Sequence, residues 1–136
     1  MKSNLDLAWK NYRKLSSRTD KSIEFLEYFF RELSTMSERY DRLLHRYRQG
    51  ENVSIDARSL CNGLTISFRA LMDAFAKLGR QDALRYSQTG TLSQASVAAR
   101  NKLLQEQDRR FTTETGNLYV GMHQSLETMR VKVIYE

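Results

Sequence analysis

The apolar residues of the first third of the chain recur at alternating spacings of three and four residues, and this pattern limits the fold more than any other feature. Thirteen positions follow the spacing from Leu5 to Tyr47, and eleven of them are apolar or aromatic. At a hydrophobic content of 40%, chance would give about five. The pattern is that of one side of an α-helix with a seven-residue repeat. We therefore predict one long amphipathic helix over residues 4–48, with its apolar side packed against other helices.

Two polar residues, Thr19 and Ser22, interrupt this apolar stripe. Small hydroxyl residues are common at helix N-caps, because the side-chain oxygen accepts a backbone N–H. The segment Ser16–Asp20 therefore indicates either a bend in one helix or a short first helix followed by a newly capped one. An unbroken helix would be about 65–70 Å long, against about 30 Å for the diameter of a small domain. From that length we expect a second copy of the chain to cover part of the stripe.

A second helix is expected from about residue 54 to Tyr86, after a break at Gly50, which suits a helix C-cap. Asn52 or Ser54 can cap this helix at its start. Its apolar side shows unbroken helical spacing and is formed by Cys61, Leu64, Phe68, Leu71, Phe75 and Leu78. Its position on this side predicts that Cys61 is a buried structural thiol.

A third helix is expected to begin near Ser93 and to be the most exposed of the three. The segment Thr112–Asn117 is poor in helix-forming residues and predicts a kink or turn. Helical spacing resumes at Leu118, and a β-prone hydrophobic tail follows at Val131–Tyr135.

The composition supports an all-α class. The chain has no proline, which permits long uninterrupted helices. Its 136 residues are enough for one domain. We expect a single helical domain over residues 1–136, with long antiparallel helices in a coiled-coil-like bundle that forms a homodimer. The only cysteine, Cys61, favours a reducing, cytoplasmic compartment, and no apolar run predicts a signal peptide or a transmembrane helix.

The motifs of enzymes are missing from the sequence. It has no phosphate-binding glycine loop, no HExxH and no GxSxG. Two histidines, one cysteine and scattered carboxylates show no metal-ligand spacing. We therefore predict that the protein is not an enzyme, and we expect no metal site and no cofactor.

Charge is the strongest indication of a binding partner. The formal net charge is +6, which favours acidic partners. Arg39, Arg42 and Arg46 form a stripe on the first helix, and Arg48 extends it. Aligned basic residues attract an anionic lipid leaflet, at about 1 kcal/mol each, and the same residues could contact nucleic-acid phosphates. The alternative is a solvated charged face, which the interleaved Glu38 and Asp41 favour.

Residues 18–44 resemble the N-terminal signature of F-BAR domains, in which small, acidic, aromatic and leucine residues recur along one long helix. The residues in this register are Glu32, Ser34, Met36, Tyr40 and Leu44. The aromatic segment Trp9–Tyr12 lies where the family has its short first helix. The chain is about half as long as an F-BAR domain, so the resemblance implies a fragment, a truncated form or a compact relative. The resemblance implies a curved dimer that binds anionic membrane lipids and senses or shapes curvature, in the cytoplasm and at its membranes, in endocytosis or cytoskeletal organisation. The membrane-binding residues it implies are Arg42, Arg46, Arg48, Lys77, Arg80, Arg109 and Arg110.

Two other functions fit the sequence. The chain could be a helical adaptor that binds another protein without touching membranes, with its charge serving solubility. A nucleic-acid-binding helical protein fits less well, because the sequence shows no helix-turn-helix, RNA-binding or zinc-finger pattern.

Overall fold

The computed structural model of the chain describes residues 3–90 and 93–131. These residues form an all-helical bundle, as predicted. It comprises α1 (Asn4–Leu15), α2 (Asp20–Arg48), α3 (Ser54–Ser87) and α4 (Gln94–Val131). Within the described residues no helix is both long enough and apolar enough to cross a membrane.

The predicted single helix over residues 4–48 is wrong, because α1 and α2 are separate helices. Thr19 is the N-cap of α2, and its hydroxyl accepts the backbone N–H of Ser22 at 3.2 Å. The side chain of Gln107 on α4 donates to the carbonyl oxygen of Leu15 at 2.9 Å, which satisfies a backbone group left free at the end of α1. The alternative of a short first helix followed by a newly capped one is confirmed.

Helix α1 folds back along α2 instead of continuing it. The Trp9 ring stacks on Phe30 with 4.9 Å between the ring centroids, and the Ser34 hydroxyl donates to Asp6 at 2.9 Å. Helix α2 has 29 residues and is about 44 Å long, so α3 and α4, with 34 and 38 residues, are long enough to cover it. The length argument for a partner chain therefore no longer applies, and the homodimer stays a prediction.

Helix α3 runs back along α2 after a tight turn. Gly50 has a φ of +86°, the left-handed conformation expected of a residue just after a helix C-cap. The side chain of Asn52 accepts the backbone N–H of Ser54 at 3.2 Å. At the far end, the Lys77 ammonium lies 5.3 Å from the centroid of the Phe25 ring. The predicted stripes of both helices form the core, where the buried members of α2 and α3 include Leu26, Leu33, Leu43, Cys61, Leu64, Leu71, Phe75 and Leu78.

Helix α4 is continuous through Thr112–Asn117, so the predicted turn is wrong. Thr115 in this segment and Phe111 just before it are buried, and the weak helix propensity of the segment's residues amounts to less than about 1 kcal/mol each. Packing of this turn against the other helices therefore decides its conformation. The first turns of α4 are exposed as predicted, with burial beginning at Leu104. The predicted β-prone tail lies outside the described residues except for Val131, which ends α4.

A buried cluster of charged side chains joins the α1–α2 linker to α3 and α4. The Arg18 guanidinium contacts Asp108 at 2.6 Å and Asp82 at 2.9 Å. The Tyr12 hydroxyl donates to Asp108 at 2.6 Å. Burial, followed by this hydrogen bond, raises the pKa of Tyr12 well above its usual value. Arg18 thus fixes the linker between two helices and neutralises carboxylates that could not otherwise be buried.

Candidate functional site

The outer side of α3 has two parallel rows of exposed residues spaced by eleven positions. Eleven residues are about three helical turns, so side chains at this spacing lie in line on one side of a helix. The first row consists of Arg58, Arg69 and Arg80, and the second of Ile55, Ile66 and Lys77. The rows lie side by side, and one acidic residue, Asp73, lies among them on this side of the helix.

The two isoleucines are unusually exposed. Ile55 has 84% and Ile66 has 68% of its surface open to solvent. Isoleucine is among the residue types most often buried, and a single exposed one would need no explanation. Here two lie on one line, about 16 Å apart along the helix axis. They are flanked by arginines, and Leu84 continues the same side of α3 at 58% exposure.

Helix α2 adds basic residues to the adjoining groove. Arg39, Arg42 and Arg46 line one groove between α2 and α3, as their spacing predicts. Arg46 pairs with Glu51 and with Asp56, the latter at 3.1 Å, so carboxylates offset its charge. In the part of the chain that the structure describes, Arg39 and Arg42 have no ion-pair partner and supply free positive charge.

These residues make up one surface, which we call the α2–α3 basic face. Its members are Arg39, Arg42, Ile55, Arg58, Ile66, Arg69, Lys77 and Arg80. Lys77 of the α3 rows contacts α2, because its ammonium group lies over the ring of Phe25. The face covers about 40 Å along α3, from Ile55 to Arg80.

The other predicted membrane-binding residues lie elsewhere. Arg48 is the last residue of α2 and is nine positions after Arg39, which places it on about the opposite side of that helix. Arg109 and Arg110 are exposed on α4, about 100° apart around the helix. Arg110 borders a separate groove between α1 and α4. Of the seven predicted residues, the structure therefore brings Arg42, Arg46, Lys77 and Arg80 to the α2–α3 side of the bundle, and it separates the other three from them.

Burial of the Arg18 cluster makes the accessible surface more basic than the composition suggests. The cluster contains one cation and two carboxylates, so it removes one net negative charge from the surface. From a formal net charge of +6, the rest of the chain is left with +7. The charge available to a partner is therefore strongly positive.

Sequence reasoning missed two sets of residues. Lys77 and Arg80 of the α3 rows were predicted, whereas Ile55, Arg58, Ile66 and Arg69 were missed, although the eleven-residue spacing of Arg58, Arg69 and Arg80 is visible in the sequence. The second set is Cys61, His123 and Glu127, whose side chains meet between α3 and α4. The spacing of four between His123 and Glu127 was a usable signal, but their contact with Cys61 depends on the fold.

No protein-family model, curated protein or solved structure matches this chain. The resemblance to F-BAR domains therefore stays a prediction based on the residues quoted above.

Proposed function

We propose that the protein binds anionic phospholipid membranes peripherally through the α2–α3 basic face. The observation that supports this most is the exposure of Ile55 and Ile66 among arginines. A leaflet offers both kinds of partner that such a face needs: anionic headgroups for the guanidinium groups and the acyl boundary for the aliphatic side chains. Nucleic-acid phosphates would satisfy the arginines and leave the isoleucines without a role.

The expected affinity follows from the size of the face. Each basic residue near an anionic leaflet contributes about 1 kcal/mol, and the face has six basic residues, which the one acidic residue among them, Asp73, offsets in part. Transfer of a fully exposed isoleucine into the apolar layer adds at most about 1.5–3 kcal/mol. Screening and partial insertion reduce both contributions, so we expect reversible binding that weakens as salt is added.

This function extends the F-BAR-like interpretation. In that interpretation the face would lie on the membrane side of a cytoplasmic dimeric scaffold that senses or shapes curvature in endocytosis or in cytoskeletal organisation. The order of the helices, a short first one followed by three long ones, is consistent with this F-BAR-like interpretation. The helical adaptor would use the same face for an acidic protein instead.

Vesicle co-sedimentation tests the proposal. The full chain is mixed with vesicles of phosphatidylcholine alone or with phosphatidylserine added, at low and at high salt. We expect binding only to the anionic vesicles, weakened by salt. The variant Arg39→Glu/Arg42→Glu should bind less tightly by about 2 kcal/mol or more, which is roughly a thirtyfold loss.

The variant Arg109→Glu/Arg110→Glu is the matched control, because it changes the net charge equally on another helix. We expect it to retain most of the binding. Equal losses in the two variants would show attraction by net charge alone, and would contradict a specific face. Failure to bind anionic vesicles, with binding to an acidic protein, would favour the adaptor.

A further inference from the structure

Three side chains with metal-ligating atoms meet between α3 and α4, away from the α2–α3 basic face. The Cys61 thiol lies 3.6 Å from an oxygen of Glu127, and Nε2 of His123 lies 4.0 Å from the same oxygen. All three ligand atoms lie within 4.8 Å of one another. His123 and Glu127 are four residues apart on α4, so they share one side of the helix.

These distances are close to those of a tetrahedral zinc site. Bonds of about 2.3 Å to sulfur and about 2.0–2.1 Å to nitrogen and oxygen place sulfur and oxygen about 3.5 Å apart at the tetrahedral angle. Nitrogen and oxygen would then be about 3.4 Å apart. The observed sulfur–oxygen distance already fits. The histidine nitrogen must move about 0.6 Å closer to the oxygen and up to about 1.3 Å closer to the sulfur, because the three ligand atoms lie within 4.8 Å of one another.

The surroundings favour a defined site. The Tyr119 ring lies 5.6 Å from the His123 ring and stacks on Phe68 at 4.1 Å, which limits the positions open to the imidazole. Arg130 donates to this same oxygen of Glu127 at 2.9 Å and orients the carboxylate, so a bound ion would share that oxygen with the guanidinium. Cys61 is buried, whereas the other two side chains are partly exposed, so an ion can enter from solvent.

The ligand set would balance the charge of a divalent ion. The thiolate is the form of cysteine that binds metal, so coordination by Cys61 would release the thiol proton to solvent. The resulting thiolate and the Glu127 carboxylate would together carry two negative charges.

We propose that Cys61, His123 and Glu127 form a zinc-type metal site that fastens the last turns of α4 to α3. Cysteine, histidine and glutamate are the ligand types that zinc takes in proteins, and three of them leave one position for water. The site joins residues 66 positions apart in sequence, near the C-terminal end of α4. Bound metal would restrain turns that otherwise fray.

Cobalt titration of the reduced, metal-free full chain tests this site. We expect one equivalent of Co²⁺ to give a thiolate-to-cobalt charge-transfer band in the near ultraviolet and the strong visible bands of four-coordinate cobalt. Zn²⁺ should displace the cobalt. His123→Gln and Glu127→Gln, at partly exposed positions where folding tolerates change, should each lower the affinity at least about tenfold. Cys61→Ser should abolish the charge-transfer band.

His45→Gln is the matched control, because His45 is the only other histidine and lies exposed on α2. It should bind cobalt as the unchanged protein does. Unaltered affinity in both His123→Gln and Glu127→Gln would show coordination by the thiol alone and would overturn the site. Absence of the charge-transfer band in the unchanged, folded protein would also overturn it.

As a second readout, Zn²⁺ should slow amide hydrogen exchange over residues 118–131, and no slowing would contradict the proposed clamp. These outcomes do not depend on membrane binding.

Discussion

Replacement of Arg18 by methionine should destabilise the fold more than any other change of a charged residue to a neutral one. Arg18 has 9% of its surface exposed, and its partners Asp82 and Asp108 have 3% and 8%. Methionine fills similar space but leaves two carboxylates buried without a cation. Removing one partner of a buried ion pair typically costs about 3–5 kcal/mol. A domain of this length has a free energy of unfolding of roughly 7–20 kcal/mol, so the loss is a large part of the total.

Urea unfolding followed by tryptophan fluorescence measures this loss. Trp9 is the only tryptophan, and it is buried against Phe30. In thermal unfolding, 1 kcal/mol corresponds to roughly 2–4 °C, so the melting temperature of Arg18→Met should fall by about 6–20 °C. The matched control is Arg13→Met, which breaks an exposed pair with Glu27 and should cost no more than about 1 kcal/mol.

A third variant separates two costs of Arg18→Met: the lost attraction between Arg18 and the two carboxylates, and the burial of those carboxylates without a cation. Combining Arg18→Met with Asp82→Asn and Asp108→Asn removes the buried charges and still leaves an acceptor for the Tyr12 hydroxyl. We expect it to recover at least half of the stability lost in Arg18→Met. The argument is refuted if Arg18→Met costs less than about 1 kcal/mol, because the two carboxylates would then have access to water.

Three further perturbations test the core. The difference in stability between Tyr12→Phe and the unchanged protein should narrow above pH 10. The raised pKa of Tyr12 contributes stability to the unchanged protein that is complete below the ordinary value of 10.0 and is lost as the pH rises further. A difference in urea unfolding that stays constant or widens would contradict this. Thr115→Val should stabilise the fold by about 1 kcal/mol or more, since the buried hydroxyl of Thr115 has no hydrogen-bond partner within the described residues; destabilisation in the same assay would oppose it. Leu33→Asp should unfold the protein, because Leu33 is fully buried; a native circular dichroism spectrum would contradict its core position.

The sequence predicted the buried sides of the helices well, because periodic burial leaves a periodic pattern. Leu33 and Leu64 are buried as their spacing requires. The sequence did not predict local structure where a contact from a distant residue decides it. The sequence left a bend and a break between α1 and α2 as alternatives, and at the break Gln107 bonds to Leu15 from a position 92 residues further on. The continuity of α4 depends on burial of Thr115, which overrides its weak helix propensity.

The candidate sites show the same division. Arg42 and Arg46 share a groove because they lie on one side of one helix, which spacing alone can predict. Whether residues of different helices meet depends on packing, and this is why the sequence could not show that Arg109 and Arg110 lie apart from them on α4. For the same reason Cys61 could not be joined to His123 from the sequence.

Insertion of Ile66 into an anionic leaflet tests the central claim most directly. An environment-sensitive fluorophore is attached to Ile66→Cys, or to Thr113→Cys on the exposed side of α4, in a Cys61→Ser background whose fold is checked by circular dichroism. Phosphatidylserine-containing vesicles should shift the emission of the label at position 66 to the blue, with little change at position 113. An unchanged emission at position 66 in protein that co-sediments with the vesicles would contradict membrane binding through the α2–α3 basic face.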